Sequence, residues 1–135
     1  MLGNVWSLIL MLWFIPTAAI DAQAVNLDGP YPDRTQVWEP LVAYVWDEWD
    51  RQDVDVAMRV LHCESKGYPN ALNDRVYENP KDQASGLFQH MPRWWDHRVE
   101  QNSLTGHADI FNPFYNVWIS AWLVDKYSWE HWECW

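Results

Sequence analysis

Two cysteines stand in the chain, Cys63 near its middle and Cys134 next to its last residue. In an oxidising compartment a lone pair of this kind reads as one disulfide, which requires the chain's end to return to its centre. Closing so long a loop contributes about 4 kcal/mol through the entropy of the unfolded chain, less any strain. In a reducing cytoplasm the same two residues read as buried free thiols.

The start of the chain bears on that choice. Residues 5–20 are nearly all apolar, and Ala22-Gln23-Ala24 follows as a small-x-small cleavage pattern. The run is shorter than the roughly 20 residues that a membrane span needs. The first basic residue is Arg34, so the positive start typical of an export signal rests on the amino terminus alone. Residues 1–24 are expected to be a cleaved signal peptide, with an uncleaved anchor as the alternative. Residues 25–34 read as a linker rich in turn formers, and residues 35–135 as one domain. A net charge of −10 argues against nucleic acid as a partner. It also offers nothing to anionic lipid, so membrane contact is expected only through an uncleaved N-terminal segment.

Residues 56–67 carry a helical period, with Val56, Val60 and Cys63 on one stripe and Met58 and Leu61 beside it. Asp53 is the expected N-cap, and Gly67 suits the left-handed residue that closes a helix. Glu64 then falls in the last turn, where the negative end of the helix dipole disfavours a carboxylate. A helix shaped for stability alone would carry Lys or Arg there, which makes Glu64 the first candidate for chemistry.

The other helices announce themselves by proline. Residues 35–52 predict a helix whose regular part starts near Glu39, with Pro40 in its first turn. Its apolar face is Leu41, Val42, Val45, Trp46 and Trp49. Met91-Pro92 opens a helix over 93–101, and Asn112-Pro113 caps one reaching about residue 128. Phe114, Val117, Trp118, Ala121, Trp122 and Val124 form the buried face of that last helix. Between them, residues 68–84 are polar and aperiodic, a length of loop usually tied to function or disorder. The fold class is all-α, or α+β if residues 68–84 form one small hairpin.

Four segments follow one another in an order that matters. They are Cys63-Glu64-Ser65 with Asn70, Ala71 and Asn73 behind it, Ser85-Gly86-Leu87-Phe88-Gln89 with Pro92, residues 109–116, and the tail Trp132-Glu133-Cys134-Trp135. Together they resemble the lysozyme-like superfamily that cleaves peptidoglycan, most nearly its SLT-type lytic transglycosylase domains. Goose-type lysozymes and resuscitation-promoting factors are relatives. The likeness covers residues 54–135, and the Glu-Ser pair with Ser-Gly-Leu-Phe-Gln about 20 residues later is its most specific part. It implies a lysozyme-like fold with helices around a glycan-binding cleft. It implies cleavage of the β-1,4 bond between N-acetylmuramic acid and N-acetylglucosamine. In exported members the tail cysteine bonds back to the cysteine before the catalytic glutamate, which corresponds here to Cys134 and Cys63.

Breaking a glycosidic bond needs a proton on the leaving oxygen and support for an oxocarbenium-like carbon. A helix-end carboxyl among aromatic rings is suited to hold that proton, since desolvation and the dipole both disfavour its charged form. By resemblance Glu64 acts first as acid and then as base, taking the proton of the sugar's own 6-hydroxyl. In hydrolytic relatives a loop carboxylate positions water instead, and Asp74, Glu78 and Asp82 stand in the matching stretch. Taken singly, each reads more readily as a solvated loop acid.

Ser85 and Gln89 match groove positions that hold the acetamido sugar or steady the glutamate. Phe88 reads as core first and groove wall second, and Gly86 as a site of close backbone approach. Asn116 matches an asparagine at the start of the later helix, with a local backbone contact as the rival account. Where the family often has a tyrosine this chain has Trp122, and the nearest tyrosines are Tyr115 and Tyr127. Of 12 tryptophans, Trp94 and Trp95 are the candidates for stacking on sugar, whereas Trp46, Trp49, Trp118 and Trp122 read as core. His62, Cys63, His131 and Cys134 are of metal-ligating types, but helix neighbours point about 100° apart, so no metal and no cofactor is expected.

The expected protein is thus a monomeric muramidase acting on glycan strands, a lytic transglycosylase before a hydrolytic lysozyme. Its expected location is secreted, periplasmic or wall-associated, or on a virion if phage-borne. The rival from another class is a non-catalytic glycan-binding or virion structural domain of the same fold.

Overall fold

Proline and asparagine set where the helices begin. In a computed structural model that describes residues 30–75, 78–104 and 108–135, Pro40, Pro92 and Pro113 each occupy a first helical turn. There the missing N–H costs nothing and the fixed φ suits the helix. The Asn112 side chain accepts from the amides of Phe114 and Tyr115, which caps the longest helix among the described residues. Among the described residues the helices are α1 (Asp33–Gln36), α2 (Glu39–Glu48), α3 (Val54–Ser65), α4 (Pro92–Gln101) and α5 (Pro113–Tyr127). Two 3-10 turns, Pro80–Asp82 and Ser128–His131, complete the order. The expected signal peptide and the first half of the linker, residues 25–29, lie outside the described residues, and the last linker positions, Asp33 and Arg34, are already helical.

The core forms where α2 packs on α3 and α5 and the 3-10 tail folds back on α5. Trp46 sits at its centre, fully buried, stacked against Phe88 at 6.0 Å and Trp129 at 6.1 Å between ring centroids. Val42, Val45, Val60, Leu61, Val117 and Ile119 fill the space around it with no exposed surface. No helix among the described residues is long and apolar enough to cross a membrane.

Several local expectations are corrected. The buried stripe of α3 is Ala57, Met58, Val60, Leu61 and Ser65, while Val56 is only half-buried and Cys63 is outward. Asp53 does precede α3 but gives it no side-chain cap. Its carboxylate instead accepts from the indoles of Trp46 (3.0 Å) and Trp129 (2.9 Å) and pairs with Arg51 (2.7 Å). Two indole donors and a guanidinium offer more than one backbone amide would. On α5, Asn116, Ile119, Ser120 and Leu123 are buried as well, whereas Phe114, Trp118 and Trp122 are half-buried. Among the described residues antiparallel pairing is confined to two isolated bridges, Leu72 with Ser85 and Ser85 with His90, in place of a hairpin inside 68–84.

The left-handed turn after α3 falls first on Lys66 (φ 55°) and then on Gly67 (φ 80°). A side chain at Gly67 would place its Cβ 2.4 Å from the Arg34 carbonyl oxygen, so α1 packs on bare backbone there. Trp38 fastens the contact by donating its indole N–H to the Gly67 carbonyl at 2.9 Å.

Candidate active site

Glu64 lies in the last turn of α3, half-buried. Among the described residues nothing donates to its carboxylate and no cation pairs with it. Burial pushes its carboxyl above the ordinary range, the nearby Glu133 carboxylate adds to that, and Lys66 partly opposes it. The next residue, Ser65, is buried and binds the turn: its hydroxyl donates to the Leu61 carbonyl and accepts from the Gly67 amide.

Glu133 reaches Glu64 because the disulfide is present. Cys63 and Cys134 are bonded, with α-carbons 6.1 Å apart, and each glutamate is the immediate neighbour of one of them. The two bonded sulfurs are also removed from metal ligation. Of the loop acids, Asp74 and Glu78 are exposed, and Asp82 forms an ion pair with Arg93 on α4. The carboxylate whose field reaches Glu64 is therefore on the tail, and the sequence reading passed over it.

Beyond Ser65 the chain turns back to the second motif. The Ala71 carbonyl accepts from the Gly86 amide (2.8 Å) and from the Gln89 side chain (3.1 Å), and the Asn73 amide donates to the Ala84 carbonyl (2.9 Å). Ser85 is buried, with its hydroxyl donated to the Gln83 carbonyl at 2.9 Å. Gly86, at φ 84°, has no room for a side chain, since a Cβ would meet the Asn116 amide nitrogen at 2.2 Å and the Ile110 oxygen at 2.8 Å. Asn116 is fully enclosed: its oxygen accepts from the Phe88 amide (2.8 Å) and its nitrogen donates to the Ile110 carbonyl (2.8 Å). Of its two expected roles, the backbone contact is the one its bonds serve. Phe88 is core, with no exposed surface.

His90, one residue past the motif, is buried among groups from two helices. The Arg98 guanidinium donates to its Nδ1 at 2.9 Å, so Nδ1 carries no hydrogen. Its Nε2 then donates to Ser120 (2.8 Å) and the Asn116 carbonyl (3.1 Å), and the Ser120 hydroxyl donates on to that carbonyl (2.7 Å). Burial first, and Arg98 second, hold the ring neutral, with its pKa down at about 3. The pattern that signals this network is a pair of polar residues one turn apart, Asn116 and Ser120, on an otherwise apolar helix face.

A cavity of about 500 Å³ opens between α4, the end of α5 and the tail. Gln89, Phe88 and Trp94 of the expected groove residues line it, together with Trp122, Tyr127 and Trp132. Trp94 is 53% exposed, as a stacking residue must be, whereas Trp95 is core and donates its indole N–H to the Ala108 carbonyl at 2.7 Å. Glu64, Ser85 and Asn116 are not among its walls. The structure thus brings Phe88, Gln89 and Trp94 together at an aromatic cavity, leaves Glu64 outside its walls beside the disulfide, and encloses Ser85 and Asn116 in hydrogen bonds to the backbone. Compared with known proteins, the chain matches no family model, no curated sequence and no solved structure.

Proposed function

We propose that this chain is a peptidoglycan-cleaving muramidase of the lysozyme-like fold, working as a lytic transglycosylase with Glu64 as its only acid and base. The observation that carries the reading is the Glu64 carboxyl, half-buried, unpaired among the described residues and biased toward its protonated form. A carboxyl of that kind keeps its proton closer to neutrality than a solvated one and delivers it to a leaving oxygen. In the proposed course Glu64 protonates the glycosidic oxygen as the bond to the anomeric carbon breaks. The substrate's acetamido oxygen supports the cationic carbon. The Glu64 carboxylate then accepts the 6-hydroxyl proton as that oxygen closes on the anomeric carbon, so no water is consumed and an anhydro end results. Export, a place at the cell wall and a monomeric state belong to the same proposal.

A second reading is a non-catalytic glycan-binding domain, and the observation in its favour is that the aromatic cavity lies apart from Glu64. One experiment separates the two. Purified walls are treated with the wild type and with Glu64→Gln, wall binding is measured in parallel, and the released muropeptides are weighed by mass spectrometry. Clearing by the wild type alone, equal binding by both and products with anhydro ends support the transglycosylase. Products one water heavier mean a hydrolase, with Glu133, whose charge acts on Glu64, as the candidate second carboxylate. Equal binding without clearing by either protein leaves the glycan-binding domain.

A further inference from the structure

Arg98 brings a positive charge into an aromatic cavity without a carboxylate to meet it. It projects from α4 into the wall of the cavity behind Gln89, is only partly exposed, and among the described residues lies within ion-pair distance of no acid. One N–H of its guanidinium is spent on His90 Nδ1. That bond fixes the plane of the group, since His90 is itself held from behind by Ser120 and the Asn116 carbonyl. The remaining N–H groups have no protein acceptor among the described residues, yet none of their nitrogens is sealed from solvent. A guanidinium that has lost part of its hydration and gained no anion is a costly arrangement for folding alone. Burial already weighs on its charged form, and Tyr127 would oppose this only once its phenol is ionised.

The surroundings narrow the partner. His97 and His131 also line the cavity. Glu130 acts on His131, where burial and Arg98 outweigh it. On a chain of net charge −10, the walls of this cavity hold one permanent cation, Arg98, and, among the described residues, no carboxylate. Among the other walls Trp94 and Trp122 offer flat apolar faces. Bidentate donors on a fixed plane suit a carboxylate, and indole faces suit the apolar side of a ring.

We propose that this cavity binds the carboxylate of a ring-bearing acid, with Arg98 as the anion's anchor and Trp94 and Trp122 as the walls for its ring. The site is independent of the reading of Glu64. Two sources share this chemistry, aromatic acids and sugar acids, and paired probes tell them apart.

The test compares each acid with its neutral amide on the whole protein at neutral pH: benzoate against benzamide, and glucuronate against glucuronamide. Binding is followed by NMR through the indole N–H signals of Trp94 and Trp122. The expected result is that at least one acid binds about tenfold tighter than its amide, moving those two signals, because a charge-assisted pair is lost in the amide. Arg98→Gln removes the preference and Arg98→Lys retains part of it. The comparison of acid with amide needs no variant, so it holds even if Arg98→Gln fails to fold. Parity of acid and amide in both pairs, no binding by either acid, or shifts confined to residues outside the cavity would each overturn the proposal.

Discussion

Cys134 is bonded to Cys63, and that bond places Glu133 close enough to Glu64 for one carboxylate to raise the pKa of the other. A general acid is active while protonated, so wall cleavage should fall as pH rises through the raised Glu64 pKa. Glu133→Gln removes a like charge, and the fall should move to lower pH. Lys66→Gln removes the opposing cation and should move it to higher pH. The carbon-13 signal of the Glu64 carboxyl in each variant provides the same midpoint without an activity assay. An unchanged midpoint in Glu133→Gln would show that the disulfide does not hold the two acids in each other's field.

The disulfide acts mainly on the unfolded chain. Trp132 also docks the tail, buried and donating its indole N–H to the Phe88 carbonyl at 2.8 Å. The double variant Cys63→Ser with Cys134→Ser should therefore keep the near-ultraviolet tryptophan signal of the native fold. It should lose about 4 kcal/mol of stability in urea titration, less whatever strain the bond imposes. A native signal lost together with stability would mean that the bond, and not Trp132, seats the tail.

Gly86 is where the second motif meets α5. Gly86→Ala forces a side chain onto a left-handed backbone and against the Asn116 amide, at a cost of about 2 kcal/mol or more. The two residues share the clash, so their effects should not add. In an Asn116→Ala background Gly86→Ala should cost less than in the wild type, although the Ile110 oxygen at 2.8 Å keeps the cost above zero. Chemical denaturation of the four proteins checks this, and strict additivity would contradict the packing described.

Much of the architecture was legible before any coordinates. Pro40, Pro92 and Asn112-Pro113 mark helix starts by local stereochemistry, and the α2 face read from its period is the buried one apart from a half-buried Trp49. The return of the tail followed from two cysteines. What stayed hidden depends on contacts between distant segments. Asp53 has the right chemistry for a cap, but two indoles from elsewhere claim its carboxylate. Glu133 is unremarkable in sequence until the disulfide sets it beside Glu64. Asn116 carries a polar group that serves either a ligand or the backbone, and only its three-dimensional neighbours decide which. His90 and Arg98 lie past the end of the recognised motif, so the resemblance gave no reason to single them out.

The His90 ring offers the sharpest test of the buried network. Its pKa falls from 6.5 to about 3 on folding, so below about pH 6.5 the unfolded chain takes up a proton that the folded chain refuses. Its contribution to stability is therefore complete above pH 6.5 and declines on acidification, by about 1.4 kcal/mol per pH unit, until the folded pKa is reached. His131, lowered by burial and by Arg98, adds to the same trend. Asp53 joins at lower pH, because its hydrogen bonds outweigh burial and hold its pKa below the ordinary value. Glu64 opposes the trend: its raised pKa means that the folded chain holds that proton more tightly. His90→Gln keeps a polar side chain and cannot titrate. Urea titrations from pH 7 to about pH 4 should show a stability slope shallower than the wild type's by close to one proton. Should the variant fail to fold, NMR of the wild-type ring gives the same answer, with His90 remaining neutral at about pH 5 while a solvated histidine is charged. Parallel slopes, or a ring that titrates near pH 6.5, would mean that Arg98, Ser120 and Asn116 do not enclose it.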